Sequence, residues 1–113
     1  MAQVTNIKVD TTPISKLIEL IKDEFNPVSI WLFGSRARGT WNNESDWDLL
    51  VVVPDQTSEE IIEDPLLACR LRRSSKVHAD IIACKQSDFR NGSETLNTLS
   101  YEAFHNGILI YEQ

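Results

Sequence analysis

Residues 33–53, FGSRARGTWNNESDWDLLVVV, place a Gly-Ser pair at the end of one apolar run and two aspartates at the start of the next. The runs before Gly34 and after Asp48 are rich in the β-branched and aromatic types that favour strands. A glycine followed by a serine allows a sharp turn where a strand ends. The segment therefore predicts two strands joined by a loop, with polar groups gathered where the strands meet that loop.

These two predicted strands have clear limits in the sequence. The first covers residues 28–33 and ends at Gly34, and the second covers residues 46–53 and ends at Pro54. Proline ends the second run because it cannot donate a ladder hydrogen bond.

Helical and extended patterns alternate along the rest of the chain. Apolar residues recur at helical spacing from a Thr12-Pro13 start to Phe25, and Asn26-Pro27 ends this helix. The later predicted elements are a helical region at 58–73 that Asp64-Pro65 breaks in two, a strand at 76–84, a helix at 95–106 ended by Gly107, and a strand at 108–112. This order predicts a two-layer α+β or α/β domain, with a small mixed β-sheet flanked by helices.

Length and composition bound the class of protein. The 113 residues, 42% hydrophobic and 25% charged, suit one folded domain over 1–113. A net charge of −6 argues against a broad basic surface for duplex nucleic acid. With no signal-peptide pattern and no long apolar run, we expect a cytoplasmic protein without membrane contact. Cys69 and Cys84 are too few for a disulfide framework, so we expect reduced, buried thiols.

The turn after the first strand has groups that bind phosphate. Successive amide N–H groups at a turn formed by Gly34 and Ser35 point at one spot, where they attract phosphate oxygens. Arg36 and Arg38 add planar, permanently charged donors for the same anion. The glycine spacing matches a Walker loop, but Thr40 stands where that loop requires lysine. A Walker-type nucleotide hydrolase is therefore disfavoured.

Three carboxylates form the second part of the candidate site. Asp46 and Asp48 project to one face of an extended strand, with Cα atoms roughly 6.5–7 Å apart. A DxD pair alone is also compatible with a solvated strand start, but like charges beside a buried apolar run are costly unless a cation joins them. Mg²⁺ suits that need, because it combines few carboxylates with waters and phosphate oxygens. If the strand carrying Asp80 lies alongside, three acids converge and can hold two metal ions for an in-line displacement.

Together, IWLFGS at residues 30–35, the strand that begins Asp46-Trp47-Asp48, and Asp80 resemble the nucleotidyltransferase superfamily of DNA polymerase β type. GSRARG and SDWDLLV are most similar to its minimal nucleotidyltransferases, and the resemblance extends from the first helix to the last strand. It implies the polymerase β-like nucleotidyltransferase fold and an enzyme that transfers AMP from ATP to a hydroxyl group.

The resemblance also implies roles for the site residues. It implies two Mg²⁺ ions held by the three acids, which are Asp46, Asp48 and Asp80. It implies a triphosphate-binding group at the turn, which consists of Gly34, Ser35, Arg36 and Arg38. One of the two arginines can instead support the loop, and Arg38 is the first candidate for that role. Asp80 is also expected to help deprotonate the acceptor hydroxyl.

The same resemblance implies a partner. Minimal nucleotidyltransferases are commonly antitoxins in two-gene pairs whose toxin is a HEPN-domain ribonuclease. We therefore expect transfer of AMP to a tyrosine of such a toxin within a hetero-oligomer, because 113 residues leave no room for a substrate-binding domain and a partner can present the acceptor. Two alternatives stay open: an antitoxin that binds without catalysis, and a transferase acting on a small molecule such as an aminoglycoside.

Several other residues allow more than one interpretation. Arg73 and His78 match the R-x4-H spacing of HEPN ribonucleases, but His78 is expected on a strand, so the match is interpreted as coincidence. A basic cluster suits a helix C-terminus, or contact with a nucleotide or acidic partner; it consists of Arg70, Arg72 and Arg73. Trp31 and Phe33 are expected in the core. Two further tryptophans near the acids are candidates to border a base or a partner, namely Trp41 and Trp47.

Overall fold

A four-stranded mixed sheet organises the molecule. The computed structural model describes residues 9–113. Its strands, in chain order, are β1 (Ser29–Phe33), β2 (Trp47–Val53), β3 (Ala79–Lys85) and β4 (Ile108–Glu112). They lie in the order β3-β2-β1-β4, with β1 antiparallel to both β2 and β4 and with β2 parallel to β3. This sheet and its flanking helices confirm the predicted α+β class.

Helices connect and cover these strands. After a 3-10 turn at Thr12–Ile14, the helices are α1 (Ser15–Phe25), α2 (Ser35–Arg38), α3 (Glu59–Ile62), α4 (Pro65–Ser75), α5 (Gln86–Gly92) and α6 (Leu99–Asn106). The predicted break between α3 and α4 is confirmed, because the Asp64 side chain accepts a hydrogen bond from the Leu66 amide at 2.9 Å and Pro65 occupies the first turn. None of the helices within residues 9–113 has both the length and the apolar character needed to span a membrane.

Hydrophobic side chains cover both faces of the sheet. On one face, Leu49, Val51 and Val53 of β2 pack in a cluster with residues of α1 and α4. On the other face, Leu50 and Val52 pack in a second cluster with Ala103 of α6 and residues of β1. Fully burying a side chain of this size stabilises a fold by roughly 1.5–3 kcal/mol. Because successive strand residues point to opposite faces, Asp48 lies on the face of Leu50 and Val52.

The region after β3 differs from the sequence prediction. Helix α6 begins at Leu99 and not at residue 95, because the Thr98 side chain caps it by accepting a hydrogen bond from the Tyr101 amide at 3.0 Å. Helix α5 was not predicted. It is anchored by Phe89, whose ring centroid lies 5.4 Å from that of Trp31.

The two cysteines are free, as expected, but each is only half-buried. Burial raises the pKa of the Cys84 thiol to about 11. Trp31 and Phe33 are buried in the second cluster, which confirms their predicted place in the core.

Candidate active site

Gly34 ends β1 and begins the turn of the candidate site. Its φ of 76° lies in the left-handed region, which side chains other than glycine rarely adopt. A Cβ added here would overlap the Asp48 carboxylate at Oδ2. Asp48 is the register partner of Phe33, the residue before Gly34. Glycine is therefore needed twice, for the backbone conformation and for the close approach of this carboxylate.

The turn leaves backbone donors free for a ligand. The first hydrogen bonds of α2 run from the amides of Ala37 and Arg38 to the Gly34 carbonyl oxygen, both at 3.1 Å. The amides of Ser35 and Arg36 precede these bonds, and no acceptor within residues 9–113 pairs with them. These two amides are therefore available as donors, and their role in binding phosphate stays a prediction.

Arg36 is held by the loop between α2 and β2. Its Nε and Nη2 atoms donate to the Ser45 carbonyl oxygen at 3.3 and 3.1 Å. Its guanidinium carbon lies 4.4 Å from the ring centroid of Trp41 and 4.4 Å from that of Trp47. These contacts make Arg36, and not Arg38 as expected, the arginine that supports the loop.

Arg38 has a looser setting on the exposed side of α2. Its Nη1 atom lies 3.8 Å from Oε2 of Glu102 on α6, and 52% of its side-chain surface is exposed. Its charge also lowers the pKa of Asp48, although other effects outweigh this one. Arg38 is therefore the arginine whose charge remains available near the acids. The sequence does not predict the contact between Glu102 and Arg38, because Glu102 lies far along the chain and only the fold brings the two residues together.

The three predicted acids lie together. Strand β3 runs parallel to β2 with Asp80 directly opposite Asp48, which confirms the pairing on which their convergence depends. Burial raises the pKa of Asp48, and the negative charges of Asp80 and Asp46 raise it further, as does a hydrogen bond between the carboxyls of Asp48 and Asp80. Asp46 and Asp80 are exposed, whereas Asp48 is half-buried. The acids thus form a cluster whose shared negative charge is unfavourable without a cation.

These residues fit a divalent cation whose shell a substrate completes. Within residues 9–113, no three Asp, Glu, His or Cys side chains form a complete metal-binding group. Magnesium does not need one, because it usually takes one or two carboxylates and fills its octahedron with waters and phosphate oxygens. The raised pKa of Asp48 means that its negative charge is unfavourable in this setting, and a cation beside it would relieve that cost. The missing side chain of Gly34 leaves room for the Asp48 carboxylate itself at the turn.

The two candidate tryptophans have different settings. Trp47 is only 7% exposed and belongs to the core cluster on the face opposite Asp48. Trp47 nevertheless lines a cavity that it shares with Trp41, so its expected role beside a base or partner stays a prediction. Trp41 is 47% exposed and stacks on Arg36 at the edge of a cavity of about 500 Å³. Trp41 is the more exposed of the two and is therefore better placed to contact a ligand.

A glycine turn facing an acid pair, with a third acid on the adjacent parallel strand, defines a domain of the nucleotidyltransferase class. The chain belongs to the family described as polymerase beta, nucleotidyltransferase, whose model matches residues 15–113. This membership confirms that the protein is a nucleotidyltransferase. None of the curated proteins matches the chain.

Solved structures share the fold at low sequence identity. A toxin-antitoxin structure with AMP-PNP has a TM-score of 0.60 and 24% identity, covering 87% of this chain and 72% of its own. A tri-AMPylated HEPN toxin of Shewanella oneidensis in complex with MNT antitoxin gives 0.56 and 18%, covering 89% and 71%. A Sulfolobus solfataricus protein assigned as a nucleotidyltransferase gives 0.51 and 17%, covering 96% and 94%. These likenesses show the fold.

Proposed function

We propose that the protein transfers AMP from magnesium-bound ATP to a hydroxyl group, most suitably a tyrosine, of a HEPN-domain toxin, and that it acts as the antitoxin of that partner. The observation that carries this proposal is the Asp48 carboxylate, which lies against Gly34 on one side and opposite Asp80 on the other. Similarity to toxin-antitoxin structures, one with AMP-PNP and one with a tri-AMPylated HEPN toxin, supports the choice of nucleotide and partner.

In this proposal the turn and the arginines bind the triphosphate. The Ser35 and Arg36 amides would donate to the β- and γ-phosphates at the Gly34 turn. Arg38 would turn from Glu102 toward the phosphates, because a surface ion pair at 3.8 Å holds it only weakly. Arg36 would stabilise the turn without contacting the phosphates, because its side chain already binds the Ser45 carbonyl oxygen and stacks on Trp47.

The three acids would bind magnesium, and one of them would accept the proton of the acceptor hydroxyl. Asp46, Asp48 and Asp80 would be the ligands, and bound Mg²⁺ would neutralise phosphate charge and lower the pKa of the attacking hydroxyl. The acceptor oxygen forms a bond to the α-phosphorus while the bond to the β-phosphate oxygen breaks, and pyrophosphate leaves. Asp80 is exposed on the outer strand and would accept the hydroxyl proton. Catalysis then rests mainly on positioning and electrostatics.

A labelling experiment tests the proposal. The protein is incubated with Mg²⁺ and ATP labelled at the α-phosphate, with and without the product of any neighbouring gene that encodes a HEPN-domain protein. We expect covalent label on the HEPN protein, and no label from ATP labelled at the γ-phosphate.

The matched variants are Asp48→Asn and Asp80→Asn on one side and Asp23→Asn on the other. Asp23 is an exposed residue of α1, so its replacement makes the same charge change outside the site. Labelling should fall at least about a hundredfold in the first two variants and stay unchanged in the third. Neutralisation of the toxin without any label would instead assign the protein as a binding-only antitoxin. Label on an aminoglycoside but on no protein would assign it as a small-molecule transferase.

A further inference from the structure

A cationic groove lies at the C-terminal end of α4. None of the residues of the carboxylate site lines it. It has a volume of about 410 Å³ and is lined by Cys69, Arg72, Arg73, Lys76, Val77 and His78. No acidic residue lines it. Its volume falls within the range of roughly 300–1,000 Å³ found for small-molecule sites.

The cations of this groove lack acidic partners. Arg72, Arg73 and Lys76 form no ion pair within residues 9–113, and residues 1–8 contain no aspartate or glutamate. The chain has 17 acidic residues and only 11 lysines and arginines, so acids are abundant elsewhere. A helix dipole favours cations in the last turn of α4, but it does not account for His78, which lies beyond the helix.

The backbone at Lys76 brings the two sides of the groove together. Lys76 ends α4 in the left-handed conformation, with φ of 60°, and its amide donates to the Arg72 carbonyl oxygen at 2.8 Å. This turn directs Lys76, Val77 and His78 back past the end of the helix. Glycine would adopt that conformation with less strain. Lysine at this position places a positive charge at the groove.

The neighbouring surface limits the size of a ligand. A second pocket of about 210 Å³ shares Lys76, Val77 and His78 with the groove and continues past Arg36 to Glu44 and Ser45, just before the acids. Arg36 and Glu44 carry opposite charges, so this path adds no net positive charge for a long polyanion that followed it. A compact anion with several negative charges is therefore a better match than a nucleic-acid strand.

We propose that this groove binds the di- or triphosphate group of a ligand, at a site separate from the carboxylate cluster. The arginine forks suit bidentate contacts with phosphate oxygens, and Lys76 adds a compact charge between them. The group belongs either to a free inorganic polyphosphate or to a nucleoside polyphosphate.

Calorimetric titration with inorganic triphosphate in EDTA tests this site without the metal that the carboxylate site needs. We expect saturable binding that weakens by about tenfold or more in the double variant Arg73→Gln, Lys76→Asn, because two charged hydrogen-bond donors to the phosphate group are lost. Asparagine tolerates the left-handed conformation, so the turn should survive. A parallel titration with ATP identifies the source: equal affinity means that only the phosphate chain is bound, and higher affinity means that the nucleoside is bound too.

The control double variant is Arg70→Gln, Lys16→Gln, which removes the same two charges from exposed positions that do not line the groove. Its affinity should change less than about threefold, as expected for screened long-range charge. The binding should also persist in an Arg38→Gln variant, which weakens the turn proposed for the catalytic triphosphate. No saturable binding, equal loss in both double variants, or loss only with Arg38→Gln would each overturn the groove as a phosphate site. Circular dichroism verifies that every variant is folded.

Discussion

Among single residues, Gly34 and Gly39 show two different reasons for a glycine: a positive φ value, and a close contact that leaves no room for a side chain. Gly34 and Gly39 both have positive φ values, but only at Gly34 would a Cβ overlap another residue, Asp48, whereas the space around Gly39 is open. Gly39→Ala should therefore cost about 1 kcal/mol of unfolding free energy from backbone strain. Gly34→Ala should cost at least about 2 kcal/mol, because the displaced carboxylate adds to that strain. Urea denaturation measures both values, and equal losses would contradict the inferred contact with Asp48.

Arg36 and Arg38 should respond differently to replacement by lysine. Lysine cannot reproduce the two donors to Ser45 or the stacking on Trp41, so Arg36→Lys should lower stability by about 1–2 kcal/mol and should lower kcat. Arg38→Lys should leave stability within about 0.5 kcal/mol, because its ion pair is exposed. It should mainly raise the KM for ATP. Denaturation and steady-state labelling kinetics test the pair, and the reverse assignment of stability and KM effects would show that Arg36 is the phosphate ligand.

The candidate site was predictable from the sequence only in part. The turn, the acid pair and the third acid were predictable, because each has a local pattern: a Gly-Ser pair after a strand, a two-residue spacing and an acid in an apolar strand. The exchange of roles between Arg36 and Arg38 was not, since it depends on Ser45 and Glu102, contacts that only the fold creates.

At the scale of elements, α5 shows why one helix was missed while α1 was found. Helix α1 repeats apolar residues on one face over three turns, whereas QSDFRNG in α5 has a single large apolar side chain, Phe89. Such a short helix is marginal alone and forms because it packs on the sheet. Its existence was therefore a tertiary property.

Phe89 is therefore the residue that anchors α5 on the sheet. Phe89→Ala should lower the unfolding free energy by about 2 kcal/mol, less than for a fully buried ring because Phe89 is only half-buried. Amide hydrogen exchange should become faster in Gln86–Gly92 than in Pro65–Ser75. Leu96→Ala truncates a side chain that is 66% exposed and should change neither quantity. Unchanged exchange in α5 would mean that other contacts, such as the hydrogen bond from the Ser87 amide to the Asp55 side chain, hold this helix without the aromatic contact with Trp31.

At the scale of the whole molecule, the acid cluster connects stability to pH and to magnesium. The folded state raises the pKa of Asp48 above its ordinary value of 3.8, so folding favours the protonated carboxyl. The unfavourable contribution is therefore absent at low pH, develops as pH rises from about the ordinary value through the raised one, and is fully present at neutral pH. In EDTA at pH 7, Asp48→Asn should be more stable than wild type.

This stability difference should shrink as pH falls through that window, because wild-type Asp48 then becomes protonated. Adding Mg²⁺ with the non-hydrolysable analogue AMP-PNP should reverse the order at pH 7, since a ligand that binds only the folded state raises its stability. Wild type should gain at least about 2 kcal/mol at a hundredfold excess over Kd, while Asp48→Asn should gain much less. Thermal unfolding at several pH values measures both effects. An Asp48→Asn protein that is less stable than wild type in EDTA would show that this carboxylate stabilises the fold, and the case for a cation at the cluster would then lose its electrostatic basis.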